Sequence, residues 1–304
     1  MTSMSRRDFS RAVAATAAMS LVAAPTPGFD PVKRSGPSRM KLSLAAYSFR
    51  SYLTDYRRGE APKPSGLTLE SFVDLCAQYP LDGVELTSYF VPEPLPEGYL
   101  RQLRRRAFLL GLTVSGTAIG NTFTHPPGLQ RDEQMAYTKR WIDRAADLGA
   151  PTIRIFAGDV QKGTTEGQAR AWCLQAIREA CAYAGTRGVI LALENHGGIV
   201  STADQLLSIV KEVESEWFGV NWDSGNFDGA DTYAELAAIA PYAVTSQIKT
   251  NVGSPKGPVP ADWKRVIAIL RDAGYRGWVS LEYEDDEDAK IAVPRLLKEL
   301  DRLT

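Results

Sequence analysis

From Lys41 onward the chain alternates, eight times over, a short β-rich apolar run with a longer segment of helical period. The strand candidates are LSLAAYSF (42–49), GVELTS (83–88), LTVSGTAI (112–119), TIRIFAG (152–158), VILALEN (189–195), FGVNWD (218–223), AVTSQIKT (243–250) and GWVSLEYE (277–284). Helical patterns such as TLESFVDLCAQY, DEQMAYTKRWIDRAADLG and PADWKRVIAILRDAGY fill the gaps, and several close on a glycine turn. Strands that are almost wholly apolar belong to a parallel sheet covered on both faces. Strict strand–helix alternation therefore predicts a (β/α)8 TIM barrel formed by residues 41–304 as a single domain. A doubly wound open sheet is the alternative, but no G-x-G-x-x-G follows a strand. Pro294 is expected to weaken or kink the last helix.

The remaining sequence narrows the class. With 304 residues and 44% apolar composition the chain buries a barrel-sized core, and its net charge of -1 argues against a nucleic-acid partner. Cys76, Cys173 and Cys181 are too few and too irregular for a disulfide framework or a thiolate metal site, and Cys173 and Cys181, within one predicted helix, read as packed thiols. The N-terminal SRRDFSRAVAATAAMSLVAAP pairs Arg6 and Arg7 ahead of a modest alanine-rich run, too short to span a membrane. It resembles a twin-arginine-type signal peptide over residues 1–24, with residues 25–40 as linker and a periplasmic or otherwise exported mature protein.

In a barrel of this kind chemistry collects at the C-terminal ends of the strands. That rule selects Tyr47, Glu85, His125, Arg154, Glu194 with His196, Asp223 with Asn226, Gln247 with Lys249, and Glu282 with Glu284. Glu194, Asp223 and Glu282 would repel one another in the mouth unless a cation sat among them. The amide oxygen of Gln247 is a neutral fourth donor, and two Glu, one Asp and one amide oxygen suit Mn²⁺ or Mg²⁺, with Co²⁺ or Zn²⁺ as alternatives. The competing reading pairs each acid with Arg154, Lys249 or a backbone amide.

The motifs LALENHGG, NWDSGN, SQIKT and SLEYE, in this order, resemble those of the xylose-isomerase-like TIM-barrel family of sugar isomerases and epimerases over about residues 41–302. The resemblance implies a divalent metal, commonly Mn²⁺, held by Glu194, Asp223, Gln247 and Glu282, with Glu194 and Glu282 exchanging acid and base roles on opposite faces of an enediolate. Two departures stand out: Gln247 replaces the histidine expected there, and Asn226 replaces the histidine of the D-x-x-H seen in ketose 3-epimerases.

Lys249, two residues beyond Gln247, shares its side of the strand and is placed to stabilise an enolate or protonate a leaving oxygen, or else to form a salt bridge to Glu282 or Glu284. His196 is a candidate proton relay or substrate ligand. Arg154, Asn226, His125, Tyr47 and Trp222 are candidate substrate contacts, the aromatics as stacking walls for a sugar face. No phosphate cradle is present, so the expected ligand is an unphosphorylated sugar or keto-sugar. Two other functions remain open: β-elimination from 3-keto-glycosides by a metal-assisted lyase or hydrolase, and non-catalytic sugar binding. A homo-oligomer is left open, and no membrane partner is expected once the signal is removed.

Overall fold

The apolar runs pair edge to edge around a common axis, which satisfies every strand edge and leaves none to template aggregation. In the computed structural model, which describes residues 30–63 and 66–304, the barrel strands are β1 (Arg39–Ala45), β2 (Gly83–Glu85), β3 (Thr113–Ala118), β4 (Thr152–Ile155), β5 (Ile190–Glu194), β6 (Phe218–Asp223), β7 (Ala243–Ile248) and β10 (Arg276–Leu281). They close in the order β1-β10-β7-β6-β5-β4-β3-β2, all parallel. A short antiparallel pair, β8 (Asn251–Val252) and β9 (Val259–Pro260), decorates the loop after β7. The expected (β/α)8 TIM barrel is the fold observed.

Eight helices of the described residues cover the barrel: α1 (Leu69–Cys76), α2 (Tyr99–Leu109), α3 (Leu129–Leu148), α4 (Glu166–Gly185), α5 (Ala203–Val210), α6 (Thr232–Ile239), α7 (Trp263–Asp272) and α8 (Ala289–Asp301). Thr68, Thr165 and Thr202 start α1, α4 and α5 with reciprocal capping boxes to Ser71, Gln168 and Gln205, each pair satisfying two orphan backbone donors. Gly149 stops α3 in the left-handed conformation that an L side chain resists. Pro294 lies within α8 without ending it. The three thiols are buried and free, and burial pushes those of Cys173 and Cys181 up to about 12, as packed, unreactive cysteines should behave.

Three departures from the sequence reading are physical. Predicted strands overran at their C-termini because the backbone leaves the ladder there: Ala46–Phe49 and Ser88–Phe90 are 3-10 turns that carry side chains onto the mouth. Residues 30–38, expected as linker, are tied to the N-terminal end of the barrel. Val32 N–H donates to Pro241 O at 3.0 Å, Ser38 Oγ to Tyr275 O at 2.6 Å, and the Arg34 guanidinium lies over the Tyr275 ring and donates to Ala243 O. The proposed signal, residues 1–24, lies outside the described residues.

Trp222 is the third departure. Strand alternation turns it away from Asn221 and Asp223, out of the barrel and into the strand–helix layer, where Nε1–H donates to Leu236 O at 2.8 Å. It is fully buried and fixes α6 to β6, so it is no wall of the mouth. Trp222→Ala is expected to lower unfolding free energy by about 3–5 kcal/mol in denaturant titrations, and Trp222→Phe to recover most of that loss.

Candidate active site

Four acids converge where β2, β5, β6 and β10 open. Glu85, Glu194, Asp223 and Glu282 are 3%, 2%, 0% and 6% exposed, a concentration of buried negative charge that must be compensated. Two basic side chains do so from β4 and from just beyond β7. Arg154 ion-pairs through Nε with Glu194 Oε2 at 2.9 Å, donates through Nη1 to Ile119 O at 2.9 Å, and reaches Tyr89 Oη at 3.4 Å. Lys249 Nζ lies 3.4 Å from Asp223 Oδ2, 3.5 Å from Glu282 Oε2 and 3.1 Å from Glu284 Oε1, and donates to Asn226 Oδ1 at 3.1 Å.

Gln247 forms the hub between these groups. It is fully buried; its Oε1 accepts from Asn221 Nδ2 at 2.7 Å while its Nε2 donates to Glu85 Oε1 at 2.9 Å and approaches Glu282 Oε1 at 3.3 Å. Asn221 Nδ2 also reaches Glu194 Oε2 at 3.2 Å. Asn221 was missed by the sequence reading although its signal was present: it stands two residues before Asp223 on β6, and period-two parity puts both inside. Glu85 is in the centre of the cluster for the same reason, at the end of β2.

Glu194 is the most heavily engaged acid. His196 Nδ1 meets its Oε1 at 2.7 Å and Asn226 Nδ2 donates to the same oxygen at 2.9 Å. The His196 ring packs at a tilt against Phe156, centroids 4.4 Å apart, and the Arg154 guanidinium lies 3.9 Å from the centre of the Phe156 ring. Phe156 is itself pinned by Asn121, which bonds both its N–H and its C=O. The two glycines after His196 have φ of 60° and 55°, and a Cβ at Gly198 would run into Gly158 O, so the close loop approach requires glycine.

The environments drive these carboxyls apart. Burial alone would raise Glu194, but the Arg154 guanidinium, His196 and Lys249 outweigh it and hold the carboxyl at about 2. Burial lifts Asp223 to about 6 against the pull of Lys249, and lifts Glu282 well above the usual carboxylate range, with the Asp223 and Glu194 charges adding to it. Burial also carries Glu85 up to about 7 despite Arg154 and the Gln247 donor. Lys249 loses hydration, but Asp223, Glu282 and Glu284 keep it protonated well above its ordinary range.

The other expected contacts are placed as follows. Tyr47 is half-buried at the rim, edge-on to Tyr89 at 6.2 Å, and its hydroxyl is raised first by burial and then by Glu284. Asn226 joins Glu194 to Lys249. His125 sits on the loop after β3, half-buried, its Nδ1 enclosed without a hydrogen-bond partner.

The expected ion set does not fit a divalent metal. Gln247 turns its N–H donors, not its oxygen, toward Glu85 and Glu282, and the oxygen is taken by Asn221. Glu194 is held by Arg154, Asn221, Asn226 and His196. An ammonium already stands between Asp223 and Glu282. Among the described residues no three His, Cys, Asp or Glu side chains are arranged to share one ion. The tetrad of Glu194, Asp223, Gln247 and Glu282 thus converges as expected but as a hydrogen-bonded, internally neutralised cluster.

A protein-family model described as "Xylose isomerase-like TIM barrel" matches residues 73–302. Solved structures of similar fold include D-psicose 3-epimerase with D-tagatose from Clostridium cellulolyticum H10, at 18% identity and TM-score 0.65 over 85% of this chain and 89% of that one. The IOLI protein with a bound zinc atom aligns at 18% identity and TM-score 0.68, covering 87% of this chain and 96% of that one. A probable 3-DHS dehydratase involved in petrobactin synthesis from Bacillus anthracis aligns at 16% identity and TM-score 0.63, covering 86% and 98%. No curated protein sequence matches.

Glu85 gives a pH signature. Its folded-state value of about 7 lies above the unfolded value of about 4.3, so its contribution favours folding below about pH 4 and is lost as pH climbs through about 7. Glu85→Gln is expected to stabilise the protein relative to wild type, by an amount that grows on the order of 2 kcal/mol between pH 5 and pH 8. Denaturant midpoints at the two pH values measure it, and a pH-independent difference would show that Glu85 is not held neutral.

Proposed function

The chain belongs to the xylose-isomerase-like TIM-barrel family, and on that premise we propose that it is an enzyme moving a proton at a carbon next to a carbonyl in an unphosphorylated sugar or keto-sugar, as an isomerase or epimerase. The observation that carries this reading is a pair of buried glutamates in one barrel mouth with opposite surroundings: Glu194 is gripped by Arg154, His196 and Asn226 and held low, while Glu282 meets Lys249 at 3.5 Å and Gln247 at 3.3 Å and is pushed up by burial. Paired carboxyls driven apart in this way divide proton transfer from charge stabilisation.

Glu282 is then the proton carrier, a carboxyl that burial and the neighbouring Asp223 and Glu194 charges push well above the usual carboxylate range. Glu194, locked by four partners, stays ionised and orients His196 through Nδ1, which leaves Nε2 open to a ligand. A sugar seated between Glu282 and His196 has a proton carrier in each, and a centre is inverted when the proton removed by one is replaced by the other. Lys249 supports the developing enolate oxygen. The acidic floor, with Glu85, Glu194, Asp223, Glu282 and Glu284 against Arg154 and Lys249, disfavours a phosphorylated substrate. An exported location, proposed from residues 1–24, would likewise favour free sugars.

A second reading, β-elimination from a 3-keto-glycoside, draws on one feature: the Lys249 ammonium beside Glu282 supplies an acid for a departing oxygen once Glu282 has taken the proton. Release of the aglycone from a 3-keto-glucoside, with no epimer formed, would select it.

Incubation with a panel of ketohexoses and 3-keto-glucosides in D2O, read by NMR, is expected to show deuterium entering one carbon next to the carbonyl. Glu282→Gln should lower that exchange about 10²–10⁴-fold, and His196→Ala should slow epimer formation more than exchange. Protium retained by every sugar tested with the wild-type protein would overturn this function.

A further inference from the structure

We propose that in this chain Lys249 has taken the place of the divalent cation, its ammonium serving as the fixed positive charge of the acid cluster, so that the site works without a metal ion. The role given below to the ammonium during turnover rests on the isomerase reading above; the charge substitution itself does not.

The local sequence around Asp223 is built to seat this one side chain. Ser224 Oγ accepts the Lys249 backbone N–H at 2.8 Å, and Ser224 N–H donates to Gln247 O at 3.0 Å, so the turn after β6 grips the end of β7 on both sides of Ile248. At Gly225 a Cβ would stand 2.7 Å from Lys249 Cδ, which makes the missing side chain the space through which the lysine stem passes. Asn226 Oδ1 accepts from Nζ. Asp223 uses Oδ1 to receive the Gly225 N–H at 2.7 Å, while its buried Oδ2 accepts no hydrogen bond and faces the ammonium at 3.4 Å. Each residue from Asp223 to Asn226 therefore positions or neutralises Lys249.

Gln247 completes the substitution two residues earlier on the same strand. An imidazole there would offer a lone pair to an ion, whereas the amide presents N–H groups to Glu85 and Glu282 and spends its oxygen on Asn221. Positions 247 and 249 together supply the donors that three buried acids need. A divalent ion placed among Asp223, Glu282 and Gln247 would lie against the ammonium and be repelled by it. During turnover the ionised form of Glu282 takes a proton from the carbon next to the carbonyl, the C–H electron pair moves onto the carbonyl oxygen, and the Lys249 N–H groups hold that oxygen. Reprotonation of the carbon returns the electron pair and restores the carbonyl.

The test measures metal before it measures activity. Elemental analysis of the full-length protein and calorimetric titration with Mn²⁺, Mg²⁺, Co²⁺ and Zn²⁺ should show substoichiometric metal and no saturable binding. The double variant Gln247→His with Lys249→Ala should gain a saturable Mn²⁺ site and a rise in melting temperature on adding Mn²⁺. Lys249→Met should lose solvent exchange about 100-fold while its melting curve reports whether it folds. One tightly bound ion per wild-type chain, or exchange abolished by a chelator and restored by Mn²⁺, would overturn the substitution. A wild-type protein that binds no metal and exchanges no sugar proton supports it and overturns the isomerase function instead.

Discussion

Four carboxyls buried in one barrel mouth are the constraint that the rest of the site answers. Left alone they would cost many kcal/mol in desolvation and mutual repulsion. Arg154 and Lys249, with the Gln247 and Asn221 amides between them, convert that cost into a fixed field. That field holds Glu194 ionised, while burial and the Asp223 and Glu194 charges lift Glu282 against the pull of Lys249, which is how one barrel end comes to contain both a permanent anion and a mobile proton.

The loops matter because they hold the compensating groups still. Asn121 clamps the backbone of Phe156, the Phe156 ring contacts both Arg154 and His196, and His196 meets Glu194, so the loops after β3, β4 and β5 form one continuous support. On the other side the turn after β6 fixes Lys249 by its backbone, its stem and its head. Both halves rely on glycines at close approaches, Gly198 in one and Gly225 in the other. Pre-set hydrogen bonds of this kind need little reorganisation during a reaction.

The barrel was legible in the sequence because its signal is repetitive: eight parallel strands covered on both faces leave eight apolar runs, and eight helices leave eight amphipathic ones. The strand-end rule also brought Glu194, Asp223, Gln247 and Glu282 to one place. Individual side chains were less legible where parity decides. Trp222 and Asp223 are adjacent in FGVNWD yet point to opposite layers, and Asn221, not Trp222, shares the mouth with Asp223. The docking of residues 30–38 under the barrel had no periodic signal, since it rests on single hydrogen bonds and one cation–π contact.

The sequence by itself determined the fold class, the membership of the acids in one cluster and the two departures at Gln247 and Asn226, because periodicity and order along the chain are one-dimensional properties. What cancels the acids' charge was a matter for the tertiary structure. Whether Lys249 or a metal stands between Asp223 and Glu282 depends on where a flexible four-carbon stem is led, and it is led by Gly225, Ser224 and Asn226 across the gap between β6 and β7. Which way the Gln247 amide faces depends likewise on Asn221 and Glu85, partners from distant parts of the chain that meet it only when the barrel closes.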